Sequence, residues 1–385
     1  ISRETAACFS IAGESLTPRT MVAAAVIVTA VVLITRRRRT ILAPVVSAEA
    51  ALAAGAPQLH EEAPGNLAFD YEAGSEEAVK AAFAQAAHVT RLKLEVTRVA
   101  PSPMELRGCT VRYDAKDDTY HVHVCIQGIN MMRKQLSAIT DVPEDRIVVH
   151  AQDIGGSFGQ RSAAYPEYCM QMVAAKELGR PVRWISTRSE GFMSDTHGRG
   201  NTVTGELALD SDGKFLALRL DWIADMGGYL SATGSASHTR NPSACMTGVY
   251  RIPALYGRFR LAFTNTVPVA AYRGAGRPDM AYVIERLVNQ AAADLKIDPA
   301  ELRRLNFIPK EAFPYKTPTG ATYEATDLQL RRKVAIKRMH ESLAKAGREL
   351  EMFMSEARLV ALKARFAGVA KQLVEAQSLL EGGDR

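Results

Sequence analysis

The 385 residues are 47% hydrophobic and 23% charged, a composition ordinary for a globular chain, and the length suits two or three domains. The formal net charge of +6 would suit a polyanionic partner, but the excess is concentrated in "TRRRRT" at 35–40 and "RRKVAIKR" at 331–338. Charge between those runs is mixed, so no nucleic-acid face is expected, and the five cysteines, scattered singly, exclude the C-x-x-C spacing of zinc or iron–sulfur sites. Dispersed thiols of this kind suit a reducing compartment, and a cytoplasmic location is expected.

Residues 21–35, "MVAAAVIVTAVVLIT", are almost wholly apolar and lead into four arginines. As a helix they rise only about 22 Å, short of the roughly 30 Å hydrocarbon core, and the charges follow the run instead of preceding it as in a signal peptide. A buried strand or helix is therefore preferred to a membrane anchor, with membrane association through 21–35 as the alternative.

From 41 to about 327 the pattern is that of one mixed α and β unit. "TYHVHVCIQG" at 119–128 alternates as a strand, with His121 and His123 on its exposed side in preference to a metal site. "AAYPEYCMQMVAAKELGRP" at 163–181 reads as a helix stopped by Gly179 and Pro181, and "GELALDSDGKFLALRLDWIAD" at 205–225 as a hairpin turning at Ser211-Asp212-Gly213. Residues 279–307 read as two helices, the second capped by Asp298 with Pro299 at its first position. Beyond 328 an amphipathic helical tail is expected, since 341–380 hold no proline and one apolar stripe.

Two glycine loops stand out. The first, Gly155-Gly156-Ser157-Phe158-Gly159, ends the strand "RIVVHAQDI"; the second, "VAAYRGAGRPDM" at 269–280, enters a helix beginning near Met280. Glycine lets backbone N–H groups touch a ligand, and a helix N-terminus favours anionic groups. Each loop is thus a candidate cradle for an anionic cofactor as well as a tight turn. Neither is a P-loop or a G-x-G-x-x-G fingerprint.

Read in order, the strand ending at Gln127-Gly128, then "DIGGSFG", "AAKELGRPVRW", "AYRGAGRPDMAYVIERLVNQAA" and "DPAELRRLNFI" resemble the molybdopterin-binding large subunit of the xanthine dehydrogenase, aldehyde oxidase and carbon monoxide dehydrogenase family. The resemblance covers about 41–327. It implies an α+β fold of mixed sheets with packed helices, like the first molybdopterin-binding domain of molybdenum hydroxylases. Residues 1–40 are then an atypical N-terminal segment, 41–85 the remnant of a preceding hammerhead-type domain, 86–327 the molybdopterin-binding domain and 328–385 the tail. It further implies that Gln127, Gly155, Gly156, Phe158 and Gly159 face the molybdenum cofactor, as molybdopterin or its cytosine dinucleotide form. Ala271, Tyr272, Arg273 and Gly274 match the segment beside metal and substrate.

The family reaction is hydroxylation of an electron-poor carbon with oxygen from water, with a cofactor that carries the redox chemistry. The metal takes no direct protein ligand, and this chain is expected to hold neither an iron–sulfur cluster nor FAD. Iron–sulfur and FAD subunits are the implied partners, with a small-molecule substrate. Gly274 stands where copper-containing carbon monoxide dehydrogenases carry cysteine, and Gln160, Arg161 and Ser162 stand where purine-oxidising members carry glutamate just after the first loop. An aldehyde or heteroaromatic substrate is expected. The family's catalytic glutamate lies beyond the region of resemblance, so no catalytic residue is assigned, and the isolated chain is expected to be inactive unless a second chain supplies the missing half. The alternative is a non-catalytic cofactor- or subunit-binding module. Ser194, Asp195 and His197 lie too close in sequence to form a triad, so His197 and Arg199 are read as structural. Glu105 and Arg107, in "MELRG", are read as partners near the cofactor side.

Overall fold

The computed structural model describes residues 47–324 and the pair 338–339; the apolar run 21–35, the arginine cluster and the stretch 341–380 lie outside them. In chain order the strands are β1 (Leu67–Gly74), β2 (His88–Val96), β3 (Gly108–Asp114), β4 (Thr119–Val124), β5 (Ile147–His150), β6 (Val182–Ile185), β7 (Asn201–Leu209), β8 (Phe215–Gly227), β9 (Ala254–Phe263), β10 (Tyr315–Lys316), β11 (Ala321–Tyr323) and β12 (Arg338–Met339). The helices are α1 (Ala48–Ala51), α2 (Glu76–Ala84), α3 (Ile129–Thr140), α4 (Pro166–Leu178), α5 (Arg188–Ser194), α6 (Gly234–His238), α7 (Arg240–Ser243), α8 (Arg277–Leu295) and α9 (Pro299–Asn306). They belong to two compact units: a central one, Ser102–Ser194, and a flanking one formed by 47–101 with 195–324 and 338–339.

The central unit is a four-stranded sheet in the order β5-β4-β3-β6, parallel at β4–β5 and antiparallel elsewhere. Strand β4 buries Tyr120, Val122 and Val124 and turns His121 and His123 to the other side, the period-two pattern expected of a half-buried strand. Helices α3 and α4 cover the buried side, where Met132, Leu136, Tyr168 and Met172 join Val111, Val122 and Ile147. Helix α4 begins at Pro166, where the missing N–H costs nothing, and ends at Gly179 with φ 62°, a left-handed stop. The ends of β4 and β5 deliver Gln127 and the first glycine loop.

The flanking unit is a five-stranded sheet in the order β1-β9-β8-β7-β2. The β7–β8 hairpin turns at Gly213, whose φ of 84° suits glycine. On one side of the sheet α8 lays Met280, Val283, Ile284, Leu287 and Val288 into a core with Trp222 and Phe259. Truncating one of these residues to alanine removes about 2–5 kcal/mol. On alternate residues the same strands present Ala208, Ala217 and Ala254 to Val79 of α2. Helix α9 is capped by the Asp298 carboxylate, which accepts from the N–H groups of Ala300 and Glu301. Strands β10, β11 and β12 form a small antiparallel sheet. No helix among the described residues is long and apolar enough to cross a membrane.

Candidate functional site

The first glycine loop is held by two side chains of its own unit. Gln127 Oε1 accepts from Ser157 Oγ at 2.6 Å and from the Gly159 N–H at 3.1 Å. An amide N–H only donates, so the oxygen of Gln127 must face the loop and its NH2 must face away. Gln127 is exposed, so that NH2 is free to donate outward. Glu105 Oε2 accepts from the Gly155 N–H at 2.7 Å, and the Glu105 N–H donates to the Gly155 carbonyl at 3.1 Å. A β-carbon on Gly155 would lie 2.5 Å from that of Glu105, so glycine serves close approach here.

Positive φ in the loop is not confined to glycine. Gly156 and Gly159 have φ of 112° and 102°, and Phe158 has φ 54°. A left-handed aromatic residue costs on the order of 1–3 kcal/mol and persists only where its surroundings fix it. The Phe158 ring is 43% exposed, so its packing within the unit does not account for that cost. Behind the loop, Gln160 is buried and its Oε1 has no hydrogen-bond partner among the described residues.

Glu105 and Arg107 do not pair with each other. Arg107 is buried and makes a two-pronged contact with Glu167, at 2.7 and 3.2 Å, and a third bond to Ser194 Oγ at 3.0 Å. Its guanidinium also lies over the rings of Tyr165 and Trp184, 4.1 and 4.9 Å from their centroids. Arg107 therefore ties α4 and α5 to the sheet, while Glu105 serves the glycine loop.

The second loop is built differently. The helix it enters starts at Arg277, three residues before the expected Met280, because Gly276 takes φ 86° and acts as its N-cap. A side chain at Gly276 would collide with the carbonyl of Ser237. The Ala270 N–H donates to the His197 carbonyl at 2.7 Å, and the Ala271 N–H to Thr233 Oγ1 at 2.9 Å. Asn241 Nδ2 donates to the Ala275 carbonyl at 3.0 Å. A β-carbon on Gly198 would strike Tyr272, so that glycine seats the aromatic ring.

Arg199, read from the sequence as structural, contacts both the second loop and the helix it enters. Its guanidinium pairs with Asp279 at 2.6 Å, lies 5.2 Å from the Tyr272 ring centroid and reaches the Arg273 carbonyl at 3.4 Å. Asn201 Nδ2 donates to the other Asp279 oxygen at 3.0 Å. Burial pushes the Asp279 carboxyl up, against the lowering by Arg199 and Asn201. Ala271 and Tyr272 are half-buried, whereas Arg273 and Gly274 are exposed. The exposed Arg273 cation beside the N-terminus of a 19-residue helix suits an anionic group.

Sequence reasoning missed Thr233, Asn241, Asn201 and Asp279, the residues that hold the second loop. Their contacts span tens of residues along the chain, and no local spacing announces them.

The molybdopterin cofactor-binding domain family matches this chain over residues 59–307. The chain belongs to that family. It is 34% identical to the carbon monoxide dehydrogenase large chain of Hydrogenophaga pseudoflava, over 72% of this chain and 36% of that relative. It is 32% identical to the nicotine 6-hydroxylase large subunit of Paenarthrobacter nicotinovorans, over 70% of this chain and 33% of the relative. The crystal structure of quinoline 2-oxidoreductase from Pseudomonas putida 86 superposes with a TM-score of 0.69 at 34% identity, covering 74% of this chain and 36% of that one. The chain thus spans about a third of the length of the molybdenum hydroxylase subunits it resembles. Their fold is the α+β architecture described above.

Proposed function

We propose that this chain is the first molybdopterin-binding part of a molybdenum hydroxylase large subunit. In this reading Gln127, Gly155, Gly156, Phe158 and Gly159 of one loop, and Ala271, Tyr272, Arg273 and Gly274 of the other, contact the cofactor. The observation that carries it is the tethering of Gln127. With its oxygen fixed by Ser157 and Gly159, the amide NH2 is a preoriented donor for an oxygen ligand. The orphaned Gln160 oxygen and the left-handed Phe158 also fit a loop finished by a bound group.

The cofactor, molybdopterin or its cytosine dinucleotide, supplies the redox chemistry when bound. The chain's own residues bind and orient it: Gln127 donates a hydrogen bond, the glycines allow close backbone approach, and Phe158 shields the site from water. Arg273 contributes positive charge without being a base. No catalytic residue is assigned among them, and metal coordination by protein side chains is not required. Among the described residues no cluster of three or more His, Cys, Asp or Glu is arranged to hold a metal ion.

The substrate class we propose is an aldehyde or a nitrogen heteroaromatic. Two relatives are named for nicotine and quinoline oxidation, and Gly274 lacks the thiol that a copper site would need. Iron–sulfur and FAD partner subunits would accept the electrons, and a polypeptide matching the remaining two-thirds of the relatives' length would complete the site. Dye reduction by the assembled complex, screened with aldehydes and heteroaromatics, tests this. Turnover that falls at least tenfold in Gln127→Ala is expected; unchanged turnover in that variant would remove Gln127 from the site.

A further inference from the structure

On the side of the central sheet that α3 and α4 leave bare lies a cavity of about 610 Å3. Cys125 borders it, with His123, His150, Glu105, Asp153 and Arg183. The Cys125 sulfur accepts from Arg161 Nη1 at 3.0 Å, a short separation for nitrogen and sulfur.

Arg161 is itself 2% exposed. Its Nη2 donates to the Glu105 carbonyl at 2.9 Å and its Nε has no hydrogen-bond partner among the described residues. No carboxylate pairs with it among the described residues. A guanidinium does not lose its proton in a protein, and a buried charge without a counter-charge costs several kcal/mol. The sulfur in contact with it is the group able to supply that counter-charge, since a neighbouring arginine favours the thiolate. Cys109, buried without such a cation, is the contrast: burial and the nearby Cys169 push its thiol well up.

We propose that Cys125 is a thiolate paired with Arg161 and a nucleophilic site for small electrophiles that enter this cavity, hydroperoxides in particular. The sulfur lone pair attacks the terminal peroxide oxygen, an S–O bond forms as the O–O bond breaks, and the alkoxide released takes a proton from water. The thiolate is oxidised to sulfenic acid and the hydroperoxide is reduced to an alcohol. Arg161, in contact with the sulfur, favours ionisation; of the charged groups that line the same cavity, Arg183 favours it and Glu105 and Asp153 oppose it. Burial lowers the His123 pKa, which leaves that ring neutral at pH 7.

The test is alkylation of the folded full chain by iodoacetamide between pH 5 and 9, read at each cysteine by peptide mass spectrometry. The Cys125 rate is expected to reach half its maximum below pH 7 and, at pH 6.5, to exceed that of half-buried Cys245 at least tenfold. Arg161→Gln is expected to move that midpoint up by one pH unit or more. Dimedone trapping after tert-butyl hydroperoxide should label wild type and not Cys125→Ser. A Cys125 midpoint above pH 8, or labelling of Cys245 with none at Cys125, would overturn the proposal; the wild-type profile decides this even if the Arg161 variant does not fold.

Discussion

His238, at the end of α6, is completely buried, and neither ring nitrogen has a hydrogen-bond partner among the described residues. Burial, reinforced by Arg98 and Arg199, holds its pKa down to about 3 against 6.5 for a free side chain. Below pH 6.5 the unfolded chain takes up a proton that the folded one refuses, so stability present above pH 6.5 is lost as pH falls toward 3. From this group alone the flanking unit loses about 2 kcal/mol between pH 6.5 and 5, at about 1.4 kcal/mol per pH unit. Denaturant midpoints at pH 7 and 5 check this: the acid loss is expected to be about 2 kcal/mol smaller in His238→Leu, and an equal loss would assign it to other groups. Gly276 makes a second prediction. Alanine there must take a positive φ and displace the Ser237 carbonyl, so Gly276→Ala is expected to cost about 3 kcal/mol or more, read as a drop in the unfolding midpoint.

Among the elements, α9 rests on a single cap. Asp298→Ala is expected to cost about 1 kcal/mol and to lower the Tm by about 2–4 °C, while Asp298→Asn stays near wild type. The contact made by Arg107 is deeper, with its side chain fully buried against Glu167. Arg107→Ala removes the stacking on two rings and the ion pair together, and a loss of about 3 kcal/mol is expected in urea unfolding. These elements also mark what the sequence made legible. Asp298-Pro299, Gly179 and the Ser211-Asp212-Gly213 turn act through neighbours a few residues away, so the helices and hairpin they bound were readable. The left-handed Phe158 was not, because a positive φ is uncommon for a bulky residue and nothing in the local sequence marks it. Nor were the Arg107–Glu167 and Arg161–Cys125 contacts, which join positions 60 and 36 residues apart and depend on packing.

For the whole molecule, the order of motifs along the chain was enough to place the family, since each motif is local and their sequence is specific. The division into two units, one inserted within the other, was not readable: the chain leaves the flanking unit after residue 101 and returns at 195 without a change of composition. Each unit carries one of the two glycine loops proposed to hold the cofactor, so cofactor retention is the property that tests both proposals at once. The most direct measurement is the molybdenum and pterin content of the purified chain, co-expressed with a polypeptide matching the remaining length of its relatives. Close to one molybdenum and one pterin per chain are expected in wild type, and less than about a tenth of that when Gly156→Val and Gly274→Val close both loops. Molybdenum absent from folded wild-type complex, or retained in full by the doubly substituted one, would contradict that expectation.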